Sequence, residues 1–218
     1  MHAFLSRIAA GAVAGLMLTA ADAPPPAAEA PLPAGVYRID PTHSTLMFRV
    51  NHLGFSNYVM QFTSVDTKLT LDPADPARAA LEVTIDPRSL VLPSPPAGFL
   101  DTLLGAEWLD AAQFPSITYR STAVDVTGEK TARVTGDLTL HGVTKPVILD
   151  VTFNGGYAGH PMDPNARIGF SATGRFNRSD FGIAFGIPAP GTTMGVGDEV
   201  QVSIETEMTG PALAPATP

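Results

Sequence analysis

An imidazole three residues after a carboxylate can share a proton with it, hold a metal with it, or close a turn. His43 stands in that relation to Asp40, and His52 follows in the same stretch. A metal site would need a third and a fourth donor in suitable geometry. His141 and His160 exist, but no His-x-His or Glu-x-x-His spacing links any of these residues. The turn reading is therefore preferred, with Asp40 accepting from turn amides and His43 bonding backbone. A third role, His43 donating to the head group of a ligand, stays open. Asn177-Arg178-Ser179-Asp180 is the second polar cluster. The guanidinium of Arg178 offers a fixed fork of donors suited to a pyrophosphate or quinone oxygen. The plainer alternative is a turn tied by an Arg178–Asp180 pair. An enzyme acting on a hydrophobic substrate would need His43, Arg178 and Asp180 to converge at one mouth.

Other catalytic signatures are missing. There is no Gly-x-Ser-x-Gly elbow, and Gly191 to Gly197 lacks the Lys-Ser/Thr of a phosphate loop. With no cysteine in the chain, thiol chemistry and disulfides are excluded, so the fold must rely on burial. No pair of carboxylates is marked out for glycoside chemistry. The expectation is a binding protein, not an enzyme, with no metal and no cofactor.

The elements that must position these residues read as strands. Leu46, Phe48 and Val50 alternate with Thr45, Met47, Arg49 and Asn51. The same period of two runs through Leu81, Val83 and Ile85; Val147, Leu149, Val151 and Phe153; Phe170, Ala172, Gly174 and Phe176; and Val200, Val202 and Ile204. One apolar and one polar face per strand belongs to an antiparallel sheet. Turn chemistry separates the strands at Asp72-Pro73, Thr127-Gly128-Glu129, His141-Gly142 and Asn154-Gly155-Gly156. One helix is expected over Phe99 to Ala112, with Leu103, Leu104, Trp108 and Ala111 on a common face and Pro115 beyond it. The fold class is all-β: an up-and-down barrel of about eight strands with one helical segment, closed so that no sheet edge is left. A two-sheet sandwich is the alternative, which periodicity alone does not separate.

Four stretches in order give the chain a family resemblance. They are Tyr37-Arg38-Ile39-Asp40-Pro41-Thr42-His43-Ser44 with His52-Leu53-Gly54; Leu109-Asp110-Ala111-Ala112-Gln113-Phe114-Pro115; Gly136 to Val147 with Leu138-Thr139-Leu140-His141-Gly142; and Phe176-Asn177-Arg178-Ser179-Asp180-Phe181-Gly182. Together they resemble the YceI-like family of secreted, lipocalin-like proteins. The resemblance implies an extended antiparallel barrel around a long apolar tunnel that takes isoprenoid or fatty chains, so the one bound molecule expected is an isoprenoid lipid or quinone. It also implies export and a tendency towards homodimers. The tunnel lining is then expected from Leu46, Phe48, Val50 and Phe62 on early strands and from Phe114, Phe170 and Phe176 later. Trp108 on the helix is the candidate lid over a barrel end. Lining and ordinary core fit these aromatics equally well on periodicity. One departure stands out: Met60 precedes Phe62 where the family usually has glycine, and is expected to reshape or narrow the mouth. Gly156 to Asn165, with two prolines, reads as a local loop variant.

A tunnel of this kind needs few polar contacts. Burying a methylene gains about 0.8 kcal/mol, so a five-carbon isoprene unit contributes roughly 3–4 kcal/mol before ordering costs.

The first residues set the expected compartment. Arg7 precedes an apolar run, Ile8 to Ala21, shorter than the roughly 20 residues of a membrane span. Thr19 and Ala21 fit the small-x-small pattern of signal peptidase, which predicts a leader over 1–21 and delivery to the periplasm without a membrane anchor. An Ala/Pro-rich linker over 22–34, a barrel domain over 35–209 and a disordered tail over 210–218 complete the expected organisation. The net charge of −8 repels phosphodiester backbones and anionic membranes, which argues against nucleic acid as a partner.

Overall fold

Aspartate followed by proline dictates where the strands break. Proline fixes φ and has no N–H to give a ladder, and the preceding aspartate can cap the turn that results. In the computed structural model, which describes residues 31–160 and 162–212, Asp40 and Asp86 cap the short 3-10 turns Pro41–His43 and Pro87–Ser89. Their carboxylates accept from the amides of Thr42 and Arg88. The first turn separates β1 (Gly35–Ile39) from β2 (Thr45–His52). Strands β3 (Ser56–Phe62) and β4 (Val65–Leu71) are parted by a bend at Thr63 and Ser64. The second turn divides β5 (Ala80–Ile85) from β6 (Leu90–Val91). After the helix α1 (Phe99–Leu104) come five long strands: β7 (Ile117–Gly128), β8 (Thr131–Leu140), β9 (Val143–Tyr157), β10 (Asn165–Asn177) and β11 (Val196–Ala212).

Each broken pair behaves as one kinked stave. Eight antiparallel staves then follow one another round the wall: β1/β2, β3/β4, β5/β6, β7, β8, β9, β10 and β11. The ring closes where β1 and β2 both pair with β11, at Arg38↔Thr209 and along Thr45 to His52. That closure makes the sheet a lipocalin-like barrel and removes the sandwich alternative.

The alternating residues point inward as their period requires, except where a bulge reverses the phase. In β7, Ile117 and Tyr119 face the interior. The register then shifts between Ser121 and Ala123, and Val124 faces inward in their place. A second shift, between Gly169 and Phe170 opposite Gly155, corrects an expectation. Asn154-Gly155-Gly156 is not a turn but a bulge inside β9, tolerated because Gly155 has φ +151. The hairpin at His141-Gly142 is as expected, with both residues at positive φ.

Two buried clusters pack the interior. The larger runs along the barrel and joins Phe181, Ile183 and Leu92 to Leu103 of α1 at one end. At the other, Tyr37, Ala166, Ile168, Met208 and Leu69 form a separate cluster, with the Tyr37 hydroxyl donating to the Pro33 carbonyl at 2.6 Å. The helix stops at Leu104, where Gly105 caps it. The apolar spacing through Trp108 and Ala111 continues as turns, not as helix. The chain also stays in β11 as far as Ala212, so the first residues of the expected tail are strand. The expected leader, most of the linker and residues 213–218 lie outside the described residues. Among the described residues no helix is long and apolar enough to cross a membrane.

Candidate functional site

Inward-facing residues on all eight staves enclose a cavity of about 490 Å³, within the range that holds small organic ligands. Its wall is almost wholly aliphatic and aromatic. Leu46, Phe48, Val50, Phe62, Trp108, Phe170 and Phe176 line it as the sequence suggests. Phe48 and Phe62 stack with centroids 5.1 Å apart on adjacent strands. Phe114 is the correction: its ring lies 4.8 Å from that of His141 and over Gly142, outside the lining. Met60, expected at a mouth, is instead 7% exposed in the wall beside Phe48.

Few polar groups reach this interior, and the two largest are already bonded. Tyr119 lies over Gly136, where any Cβ would collide with its ring. Its hydroxyl donates between the carbonyls of Val134 (3.1 Å) and Val147 (3.3 Å). Burial, reinforced by Asp137, pushes the phenol well above its ordinary value, so it stays protonated.

Arg178 is 3% exposed and gives its donors to backbone. Nε donates to the Gly197 carbonyl (2.9 Å), Nη1 to Ile183 and Phe185 (both 2.9 Å), and Nη2 to Val196 (2.7 Å). Its guanidinium carbon sits 5.1 Å from the Trp108 ring centroid, a cation–π contact. Trp108 meets Phe185 edge-on at 5.7 Å. Burial lowers the affinity of Arg178 for its proton, and Asp198 opposes that shift. The guanidinium thus ties down the segment from Ile183 to Gly197 over one barrel end, with Trp108 beneath it. The expected Arg178–Asp180 pair does not form. Asp198 is the acid of this turn, accepting from the amide and hydroxyl of Ser179 at 2.9 and 2.7 Å.

His43 belongs to a different neighbourhood. Its Nδ1 bonds the Asp40 carboxylate at 2.9 Å instead of backbone, and Asp40 also accepts from Thr42 and, at 2.7 Å, from Arg167 Nη1. Arg167 reaches Asp163 as well, at 2.6 Å. Bonds from Thr42, His43 and Arg167 hold the Asp40 carboxyl far below the usual carboxylate range, and Asp40 in turn raises His43 above its ordinary value. Asp40, His43 and Glu207 set ligand-type atoms within 4.8 Å of one another. The positive charge among them is that of Arg167, 3.5 Å from Glu207.

His43 adjoins Glu207 and Arg178 adjoins Gly197, and that length of β11 spans roughly 34 Å at about 3.4 Å per residue. The structure therefore does not bring His43 together with Arg178 and Asp180. Sequence reasoning missed Arg167, which bonds a residue 127 positions away. It also missed Thr67, whose place in the inward series Val65, Thr67, Leu69 was a readable signal.

Fold and cavity define a lipocalin-like barrel with an enclosed apolar interior. Comparison with known proteins refines this. The sequence model of the YceI-like domain matches residues 37–208. A UPF0312 protein of Pseudomonas putida (strain W619) is 40% identical over 176 residues, covering 79% of this chain and 86% of that protein. The crystal structure of Burkholderia cenocepacia BcnA superposes with a TM-score of 0.66 at 25% identity, over 78% of this chain and 98% of that one. The Campylobacter jejuni YCEI protein gives 0.62 at 26% identity, over 73% and 89%. A polyisoprenoid binding domain from Saccharophagus degradans shares the fold, at 12% identity and a TM-score of 0.57, over 82% and 99%. The chain belongs to the YceI-like family.

Proposed function

We propose that the protein is an exported, periplasmic carrier that holds one long apolar lipid, an isoprenoid chain or quinone tail, inside its barrel. The observation that carries this reading is the cavity of about 490 Å³ with its almost unbroken apolar wall. The Tyr119 hydroxyl and the Arg178 guanidinium are capped by the protein's own backbone, so an apolar guest would not have to displace their hydrogen bonds. The polyisoprenoid binding domain of Saccharophagus degradans supports the reading through its shared fold. Binding is favoured over catalysis because His43 stands far from Arg178 and Asp180. The leader expected at the N-terminus supports the compartment.

Trp108 is the one tryptophan of the chain and lines the cavity, so its fluorescence reports occupancy. Titration with a short-chain ubiquinone should quench it saturably at one equivalent per chain. A linear, non-saturating response with quinones and isoprenols alike would refute the proposal.

A further inference from the structure

The cavity lining includes four solvent-exposed residues, Pro41, Thr63, Pro76 and Glu205. Pro76 sits on the turn between β4 and β5, and the other three cluster where two kinked staves meet. Between β1 and β4 the ladder ends at Arg38↔Lys68, and between β2 and β3 it resumes at Leu46↔Phe62. Among the described residues, no register pair and no side-chain hydrogen bond joins the stretch from Ile39 to Thr45 with that from Thr63 to Thr67. Each lip is instead fastened away from the other. The Asp40 amide donates to Glu207 at 2.8 Å, and Ser44 bonds Thr206 at 3.0 Å, both on β11. On the opposite lip the amide and hydroxyl of Thr63 donate to Ser89, and the Asp86 amide donates to Ser64. The wall is thus held unzipped by bonds to its outer neighbours.

The chemistry of the gap is hydroxylic. Ser44, Thr45, Thr63 and Thr67 line the cavity here. Thr67 is 8% exposed, on the inward face of β4, and its hydroxyl has no partner within the protein. A hydroxyl that faces an otherwise apolar cavity offers a ligand oxygen a hydrogen bond that the surrounding side chains do not. Among the described residues no lysine or arginine lines the cavity at the gap: Arg38 and Lys68, at the end of the ladder, alternate with the inward Tyr37, Thr67 and Leu69 and so stand on the outer face, and Arg178 is spent on backbone at the far end. An anionic head group held by Thr67 would find no lining cation beside it.

We infer that the lipid enters and leaves sideways through the gap between Ile39–Thr45 and Thr63–Thr67, and that its polar end is an uncharged hydroxyl or carbonyl bonded by Thr67. This rests on the lipid-binding reading and adds the route and the head-group class. The chain has no cysteine, so single cysteines can be labelled cleanly. T63C carries a bulky maleimide on the lip, and E129C carries the same label on the exposed turn between β7 and β8, outside the lining. Association of farnesol is followed through Trp108 by stopped flow. Labelling at position 63 should slow it at least tenfold, and labelling at 129 by less than twofold. Equal rates at both sites, or slowing at 129 alone, would overturn the route.

For the head group, T67V should weaken farnesol binding about fivefold to tenfold while leaving the hydrocarbon farnesene unchanged, and T67S should restore farnesol. Farnesyl diphosphate should bind the parent protein more weakly than farnesol. Equal losses for farnesol and farnesene, no loss for either, or preference for the diphosphate would overturn the head-group assignment. If the parent protein binds neither farnesol nor farnesene, lipid binding itself fails and this inference falls with it.

Discussion

Replacing Arg178 by methionine separates a structural clamp from a ligand-gripping cation. The substitution keeps an unbranched, apolar stem near Trp108 but removes the donors to the carbonyls of Ile183, Phe185, Val196 and Gly197. The bond to Ile183 is fully buried, whereas water can rejoin the other three carbonyls. At about 1–3 kcal/mol for a buried acceptor left unpaired, the total loss comes to about 2–4 kcal/mol. In a domain of this size each kcal/mol lowers Tm by about 2–4 °C, so R178M should melt about 5–15 °C below the parent. Lysine offers three donors without the planar fork and should lose about half as much. The assays are thermal melts by circular dichroism and titration with farnesol and farnesyl diphosphate well below Tm. The preference between the two ligands should match that of the parent. A melt within 2 °C of the parent (less than about 1 kcal/mol) together with a selective loss of diphosphate binding would refute the clamp and make Arg178 a head-group contact.

Three further outcomes follow from the packing. G136A would drive a methyl into the Tyr119 ring and pull its hydroxyl off Val134 and Val147; a loss of about 1–3 kcal/mol is expected in urea melts, partly recovered in G136A/Y119L. Filling the cavity with A172L, between Val151 and Ile204, should stabilise the empty protein by about 0.5–2 kcal/mol and shorten the longest isoprenol that binds. Asp40 has a depressed pKa in the fold, so its contribution is complete above the ordinary carboxylate value and is lost as pH falls from about 4 towards its lowered pKa. D40N should therefore be less stable than the parent at pH 7 and show a smaller further loss between pH 4 and 2. His43 is raised, so its smaller share is present below about pH 6.5 and disappears as pH rises through the folded value.

Much of the barrel was legible because half-buried strands alternate. Leu46, Phe48 and Val50 took the face their period demanded, as did Val200, Val202 and Ile204. What escaped was phase and partnership. The bulge at Ser121 to Ala123 reverses the face of β7, and no local composition marks it. Asn154-Gly155-Gly156 carries turn residues, but glycine serves a bulge as well as a turn, and the neighbouring strand decided between them. Helical spacing ran past Gly105 because Trp108 and Ala111 are buried by tertiary contacts that mimic the period. Arg178 could be singled out by type, but its partners are carbonyls, which every residue has. The Asp40–Arg167 bond joins β1/β2 to β10 over the intervening β11, a separation of 127 positions that no spacing rule covers.

The central claim is that the interior is made for an apolar chain. Mass spectrometry of an organic extract of the protein, purified from the cells that make it, tests this most directly. One neutral isoprenoid or quinone per chain is expected, and delipidated protein bearing the bulky label at T63C should fail to take that lipid up again from an organic extract of the same cells. Repeated recovery of no lipid, from protein whose interior water and aliphatic probes also fail to enter, would contradict it.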